Sequence, residues 1–191
     1  MKAFALVALA LLLSSFASAQ AGAALNAAAS AVVVVAGDCS TDTTKCRQAV
    51  SSYLPAGDGH DKAVVLAMKA LGRVRYDFGA NSGEFEPLAG DGSADCSSFV
   101  QGIVKESFGA RVPRTAEEQY AATVPVRLGN QQAGDLIFFK NTYKPGISHV
   151  GIVVDNCRFI QASRPTVKWG NYCTGYYRNH FAAIHRVQYG V

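Results

Sequence analysis

Residues 134–163 read GDLIFFKNTYKPGISHVGIVVDNCRFIQAS. Three runs within this stretch, residues 135–139, 149–154 and 158–163, are rich in β-branched or aromatic side chains. Turn-forming residues separate them, a pattern that predicts three β-strands. Asp155-Asn156 suits a tight turn between the last two strands, and residues 184–189 predict a final one. Upstream the period changes. Val64, Val65, Met68 and Leu71 follow helical spacing ahead of Gly72, predicting a helix over 60–71. Phe99, Val100, Ile103, Val104 and Phe108 repeat the pattern before Gly109, predicting a second helix that starts at Asp95 or Cys96. Thr115 and Glu118 form a capping box that opens a short third helix. Residues 55–59 read as a linker, and residues 76–93, rich in Gly, Asn, Ser and Pro, as a long loop. Helices first and strands afterwards give an α+β class, with N-terminal helices packed on an antiparallel sheet.

The chain has 191 residues, 49% hydrophobic and 10% aromatic, enough for one packed domain plus a leader. Eighteen Lys and Arg against fourteen Asp and Glu leave a net charge of +4. That excess suits an anionic surface such as a cell wall or membrane and falls short of a nucleic-acid footprint, so no nucleic-acid partner is expected. The first nineteen residues read as a secretory signal peptide. Lys2 precedes an apolar run over 3–13, and Ala17-Ser18-Ala19 offers the cleavage site, with Gln20 as the mature start. The apolar run is short of the ~20 residues of a membrane span, so no transmembrane anchor is expected. Residues 20–37 are dominated by Ala, Val and Gly, without charge. An arm, a strand added at the domain edge and a propeptide all fit residues 20–57, leaving 58–191 as the domain proper. The product is then secreted, to the extracellular space or periplasm.

Secretion makes the five cysteines informative, because an oxidising compartment pairs thiols and an odd count leaves one over. Cys39 with Cys46 and Cys157 with Cys173 are the simplest pairs, which leaves Cys96. That residue opens the second helix behind a Gly-rich loop, where unpaired amides and the helix dipole favour a thiolate. A thiolate is a nucleophile and needs a base. His149, at the start of an apolar strand, is the candidate. Gln161, a polar residue in the adjacent apolar strand, is placed to accept an imidazole N–H and fix its tautomer. His60, His180 and His185 have no metal-ligand spacing, and neither metal nor cofactor is expected.

The block 95–100, DCSSFV, followed by 112–119, VPRTAEEQ, 133–139, AGDLIFF, 148–152, SHVGI, and 158–163, RFIQAS, resembles the NlpC-type cell-wall peptidases. Five blocks in register span roughly residues 60–187. The resemblance implies a papain-like α+β fold and cleavage of amide bonds in peptidoglycan stem peptides, commonly between γ-D-glutamate and a diamino acid. By position, Cys96 is the nucleophile, His149 the general base and Gln161 the orienting residue. Tyr76 corresponds to a tyrosine beside the oxyanion site, and Asp95 and Ser97 to residues that hold a free amine of the stem peptide. Gln161 departs from the family's usual His; its carbonyl is expected to accept from Nδ1–H of His149. A bridge between Cys157 and Cys173 would tie the loop around Trp169 and Tyr172 to the turn near His149, and residues 165–177 are candidates for shaping the groove. Two other classes fit the same features: a thiol amidase or acyltransferase acting on a different amide, and an inactive wall-binding module. Oligomeric state is not legible.

Overall fold

A computed structural model describes residues 59–189, together with Thr44. The expected signal peptide, the rest of the segment 20–57 with the expected Cys39–Cys46 pairing, and the end of the chain lie outside the described residues. Helix α1 (Gly59–Lys69) carries Asp61 in its first turn and Lys69 in its last, both opposing the helix dipole, and buries Val64, Val65, Leu66 and Met68. Helix α2 (Cys96–Phe108) begins where the sequence predicts. The Asp95 carboxylate caps it, accepting from the Ser98 amide at 2.8 Å. Gly109, at φ 63°, ends it in the left-handed region that favours glycine. Helix α3 (Ala116–Ala121) opens on the expected capping box, with Thr115 accepting from the Glu118 amide at 3.2 Å.

The strands are β1 (Arg75–Tyr76), β2 (Phe85–Glu86), β3 (Asp91–Ala94), β4 (Val124–Val126), β5 (Leu136–Lys140), β6 (Ile147–Val153), β7 (Arg158–Ser163), β8 (Thr166–Asn171) and β9 (Phe181–Arg186), with helix α4 (Gly175–His180) between the last two. They form one sheet in the order β2-β3-β1-β8-β7-β6-β5-β9-β4. All pairings are antiparallel except β1 with β3, so the sheet is mixed. Three expectations are corrected here. The loop over 76–93 contains β2, β3 and a 3-10 turn, too short to show alternation in the sequence. The loop expected around Trp169 and Tyr172 is strand β8 as far as Asn171, with Tyr172 just beyond it. The last strand also begins earlier than expected, at Phe181. Its pairing with β5, from Leu136↔His185 to Phe139↔Phe181, sets those bounds.

Alternation along β5 explains why its sequence is apolar without interruption. Leu136 and Phe138 face the core under α1 and α2, with Val150, Ile152, Ile160 and Ala162. Ile137 and Phe139 face a second core with Val153, Phe159, Tyr172 and Ile184. A strand buried on both faces loses its polar period. Among the described residues no helix is long and apolar enough to cross a membrane.

Candidate active site

Cys96 occupies the first turn of α2 and is 6% exposed. Its surroundings follow from the cap beneath it. Arg114 donates to both Asp95 oxygens, at 2.6 and 3.2 Å, and to the Ser97 hydroxyl at 2.9 Å. Ser97 and the Gly79 amide also donate to Asp95, at 3.1 and 3.2 Å. Burial works to raise the Asp95 carboxyl, but Arg114, Ser98 and Ser97 outweigh it and hold the group below the usual carboxylate range. This anion precedes Cys96 in the chain, and its charge works against a thiolate there.

The base lies across the sheet opening. Strand β6 pairs with β7 only at Ile152↔Ile160 and Val153↔Phe159. Val150, beyond the last pair, follows His149 in the chain, and its amide, with those of Ser97 and Cys96, acts to lower the Cys96 thiol. His149 and Gln161 meet in the same gap, where His149 Nε2–H donates to Gln161 Oε1 at 2.6 Å. Tyr177, from α4, donates its hydroxyl to the same oxygen at 2.7 Å. Its ring stacks towards the imidazole, with centroids 6.1 Å apart at 24°.

Two expectations change. Gln161 accepts from Nε2 and not from Nδ1. This arrangement leaves the Nδ1 lone pair to take a proton, which a base toward Cys96 requires. The helix dipole also does not produce a resting thiolate. Burial, then the Asp95 charge, push the thiol up to about 11 against the three amides. Burial likewise pushes His149 down to about 4, against the Gln161 hydrogen bond that would raise it. In both groups desolvation outweighs local polarity, so at neutral pH the two rest as neutral thiol and neutral imidazole. Among the described residues no hydrogen bond joins Cys96 directly to His149.

Both groups open onto clefts that share a wall. A cleft of about 310 Å³ is lined by Cys96, Asp95, Ser97 and Arg114. A second, of about 210 Å³, is lined by His149, Ser163, Arg164 and Tyr177. Tyr76 and Tyr143 line both. Burial, then the neighbouring Cys96 and Asp95 charges, push the Tyr76 phenol up to about 12, so it is a protonated donor throughout the neutral range. Cys157 and Cys173 are bridged, and Cys96 is a free thiol. His60, His180 and His185 stand apart, bonded to the carbonyls of Ala133, Lys140 and Thr123.

Sequence reasoning named Cys96, His149, Gln161, Tyr76, Asp95 and Ser97; the structure puts Cys96, Asp95, Ser97, Tyr76 and His149 on the walls of these two clefts and Gln161 buried behind His149. It assigned no role to Arg114 or Tyr143, and it reached Tyr177 only as the end of the 165–177 segment expected to shape the groove, where Tyr177 lines the second cleft. Arg114 had a usable signal, since an acidic helix cap next to a buried thiol needs a cation. Tyr143 had none.

Residues 72–186 match the family model described as NlpC/P60 family. The γ-DL-glutamyl hydrolase of Bacillus subtilis (strain 168) is 44% identical over 98 residues, covering 51% of this chain and 22% of that protein. The bifunctional muramidase/DL-endopeptidase CwlT of the same organism is 36% identical over 145 residues, covering 73% of this chain and 43% of that protein. The chain thus spans less than half the length of either relative. Among solved structures, a Staphylococcus aureus protein described as similar to a lipoprotein of the NLP/P60 family superposes with a TM-score of 0.59 at 29% identity. That match covers 77% of this chain and 48% of the other.

Proposed function

The chain belongs to the NlpC/P60 family, and from that premise we propose that it is a secreted cysteine endopeptidase. It hydrolyses amide bonds of peptidoglycan stem peptides, between γ-D-glutamate and the diamino acid, through a thioester acyl-enzyme. The observation that carries the reading is the Nε2–H···Oε1 bond from His149 to Gln161, which leaves Nδ1 without a proton. His149 lines a cleft that shares Tyr76 and Tyr143 with the cleft of the free Cys96 thiol.

The reaction starts from the neutral pair. As the Cys96 sulfur attacks the amide carbonyl carbon, its proton passes to His149 Nδ1, and the carbonyl π electrons move onto oxygen. Substrate binding brings the two groups into transfer distance, as is common when resting active-site geometry is loose. The oxyanion takes hydrogen bonds from amides at the start of α2 and from the Tyr76 phenol. The imidazolium then protonates the departing amine while the C–N bond breaks, leaving a thioester. Water attacks the thioester carbonyl as His149 takes its proton. Collapse expels the sulfur, which recovers that proton, and frees the carboxylate product. Gln161 stabilises the imidazolium through Nε2–H without itself ionising, the role a carboxamide fills in papain-like proteases. The cleft beside His149 takes the leaving side, because the amine must meet the proton there. The cleft beside Cys96 takes the acyl side, with Asp95 and Ser97 holding the stem peptide's free amine and Arg114 keeping Asp95 ionised. The domain responsible is 58–191.

The purified chain is incubated with a defined stem peptide, and the product masses are read. Expected are two fragments separated at the γ-D-glutamyl bond, a covalent acyl adduct on Cys96 under rapid quench, and no cleavage by Cys96→Ala. Absence of cleavage, or cleavage that survives Cys96→Ala, overturns the proposal. An adduct formed with a lipid or another amide in place of the stem peptide points to the acyltransferase class.

A further inference from the structure

A glutamine in the orienting position raises a problem that a histidine or a carboxylate does not. The two ends of its amide have the same shape and opposite chemistry: the oxygen only accepts, and the NH₂ only donates. With the oxygen toward His149, the imidazole proton sits on Nε2 and Nδ1 is free to act as a base. With the NH₂ toward His149, the proton must sit on Nδ1, and the ring can no longer take a proton from a thiol. The amide's own surroundings hold only one end of it. Gln161 is fully buried, yet its Nε2 has no hydrogen-bond partner.

We propose that Tyr177 is a positioning residue whose hydroxyl selects the oxygen-inward orientation of Gln161 and thereby the Nε2–H tautomer of His149. The Tyr177 hydroxyl lies 2.7 Å from Gln161 Oε1, the same atom that accepts from His149 at 2.6 Å. A phenol is a good donor and a poor acceptor, because its oxygen lone pair is delocalised into the ring. It therefore favours the amide end that accepts. The ring itself is held in place. It packs against Phe139 at 5.0 Å and edge-on to Phe159 at 4.9 Å. Its helix, α4, starts two residues after Cys173, which is bridged to Cys157 beside β7. The disulfide thus anchors the element that carries the selecting hydroxyl.

The catalytic side of this inference rests on the proposed Cys96–His149 chemistry, but its first test does not. In ¹⁵N-labelled protein the shifts of the two His149 ring nitrogens report the tautomer without any turnover. The intact chain is expected to hold a single Nε2–H form, and Tyr177→Phe, which keeps the ring and loses the hydroxyl, a mixture that includes Nδ1–H. In stem-peptide cleavage Tyr177→Phe lowers kcat about tenfold and leaves KM in place. The decisive comparison adds Gln161→Glu, whose two oxygens both accept, so that no end remains to be selected. In that background Tyr177→Phe costs less than about twofold. A Tyr177→Phe protein that keeps one Nε2–H tautomer overturns the proposal, as does an equal loss of kcat in the two backgrounds. Failure of Cys96→Ala to affect cleavage would instead remove the hydrolase reading and leave the tautomer result standing.

Discussion

Acidification should destabilise this domain through His149, by an amount that follows from its burial. His149 is 8% exposed, and burial pushes its imidazole from 6.5 down to about 4. Between those two values the unfolded chain binds a proton at this residue and the folded chain does not. Stability from this source is therefore complete above about pH 6.5, falls as pH drops through the window, and is gone near pH 4. Each pH unit inside the window is worth about 1.4 kcal/mol, so the step from pH 7 to pH 5 removes about 2 kcal/mol. The perturbation is His149→Gln, which keeps an N–H donor toward Gln161 but cannot titrate. Urea unfolding, followed by the fluorescence of the only tryptophan, Trp169, is measured at both pH values for both proteins. His185, also pushed down by burial, is present in each and cancels in the comparison. The intact chain should lose about 2 kcal/mol more than the variant. Losses equal to within about 0.5 kcal/mol would refute a neutral, desolvated imidazole.

The same neutral pair sets the pH dependence of turnover: kcat/KM should rise through an acid limb near 4, with no limb near 6.5, in initial rates measured from about pH 3.5 to 9. Gly170→Ala would place its Cβ 2.2 Å from the Phe159 ring and 2.8 Å from Gln161 Nε2. Thermal unfolding should show a loss of about 1–3 kcal/mol, accompanied by a lower kcat as Gln161 is displaced. Replacing both Cys157 and Cys173 with Ser opens a loop of 16-residue separation and should cost about 3 kcal/mol in denaturant unfolding. Arg114→Ala strips the buried Asp95 carboxylate of its cation; a loss of about 2 kcal/mol is expected from the same measurement, moderated by the partial exposure of Arg114.

What the sequence carried by itself was the local and the periodic. Asp95 and Gly109 bound α2, and Thr115 with Glu118 opens α3, because a cap is a bargain between a side chain and backbone groups one turn away. The strands of 135–163 were legible because β-branched and aromatic runs between turn residues leave few other structures. Cys157 and Cys173 pair as their proximity suggested. The short edge strands were not legible. Two-residue pairings such as Arg75↔Ser93 have no period and exist only because a partner lies beside them.

The site divides the same way. Helix position marked Cys96, and strand position marked His149 and Gln161. Which ring nitrogen Gln161 meets depends on how β6 and β7 part beyond Ile152, and no spacing in the chain encodes that. The charge state was decided by tertiary structure as well. A helix start argues for a thiolate, but desolvation under the folded sheet outweighs the dipole, and burial is a property of the whole packed domain. Arg114 and Tyr177 belong to this second class: they reach Asp95 and Gln161 from 19 and 16 residues away, where only folding brings donor and acceptor together.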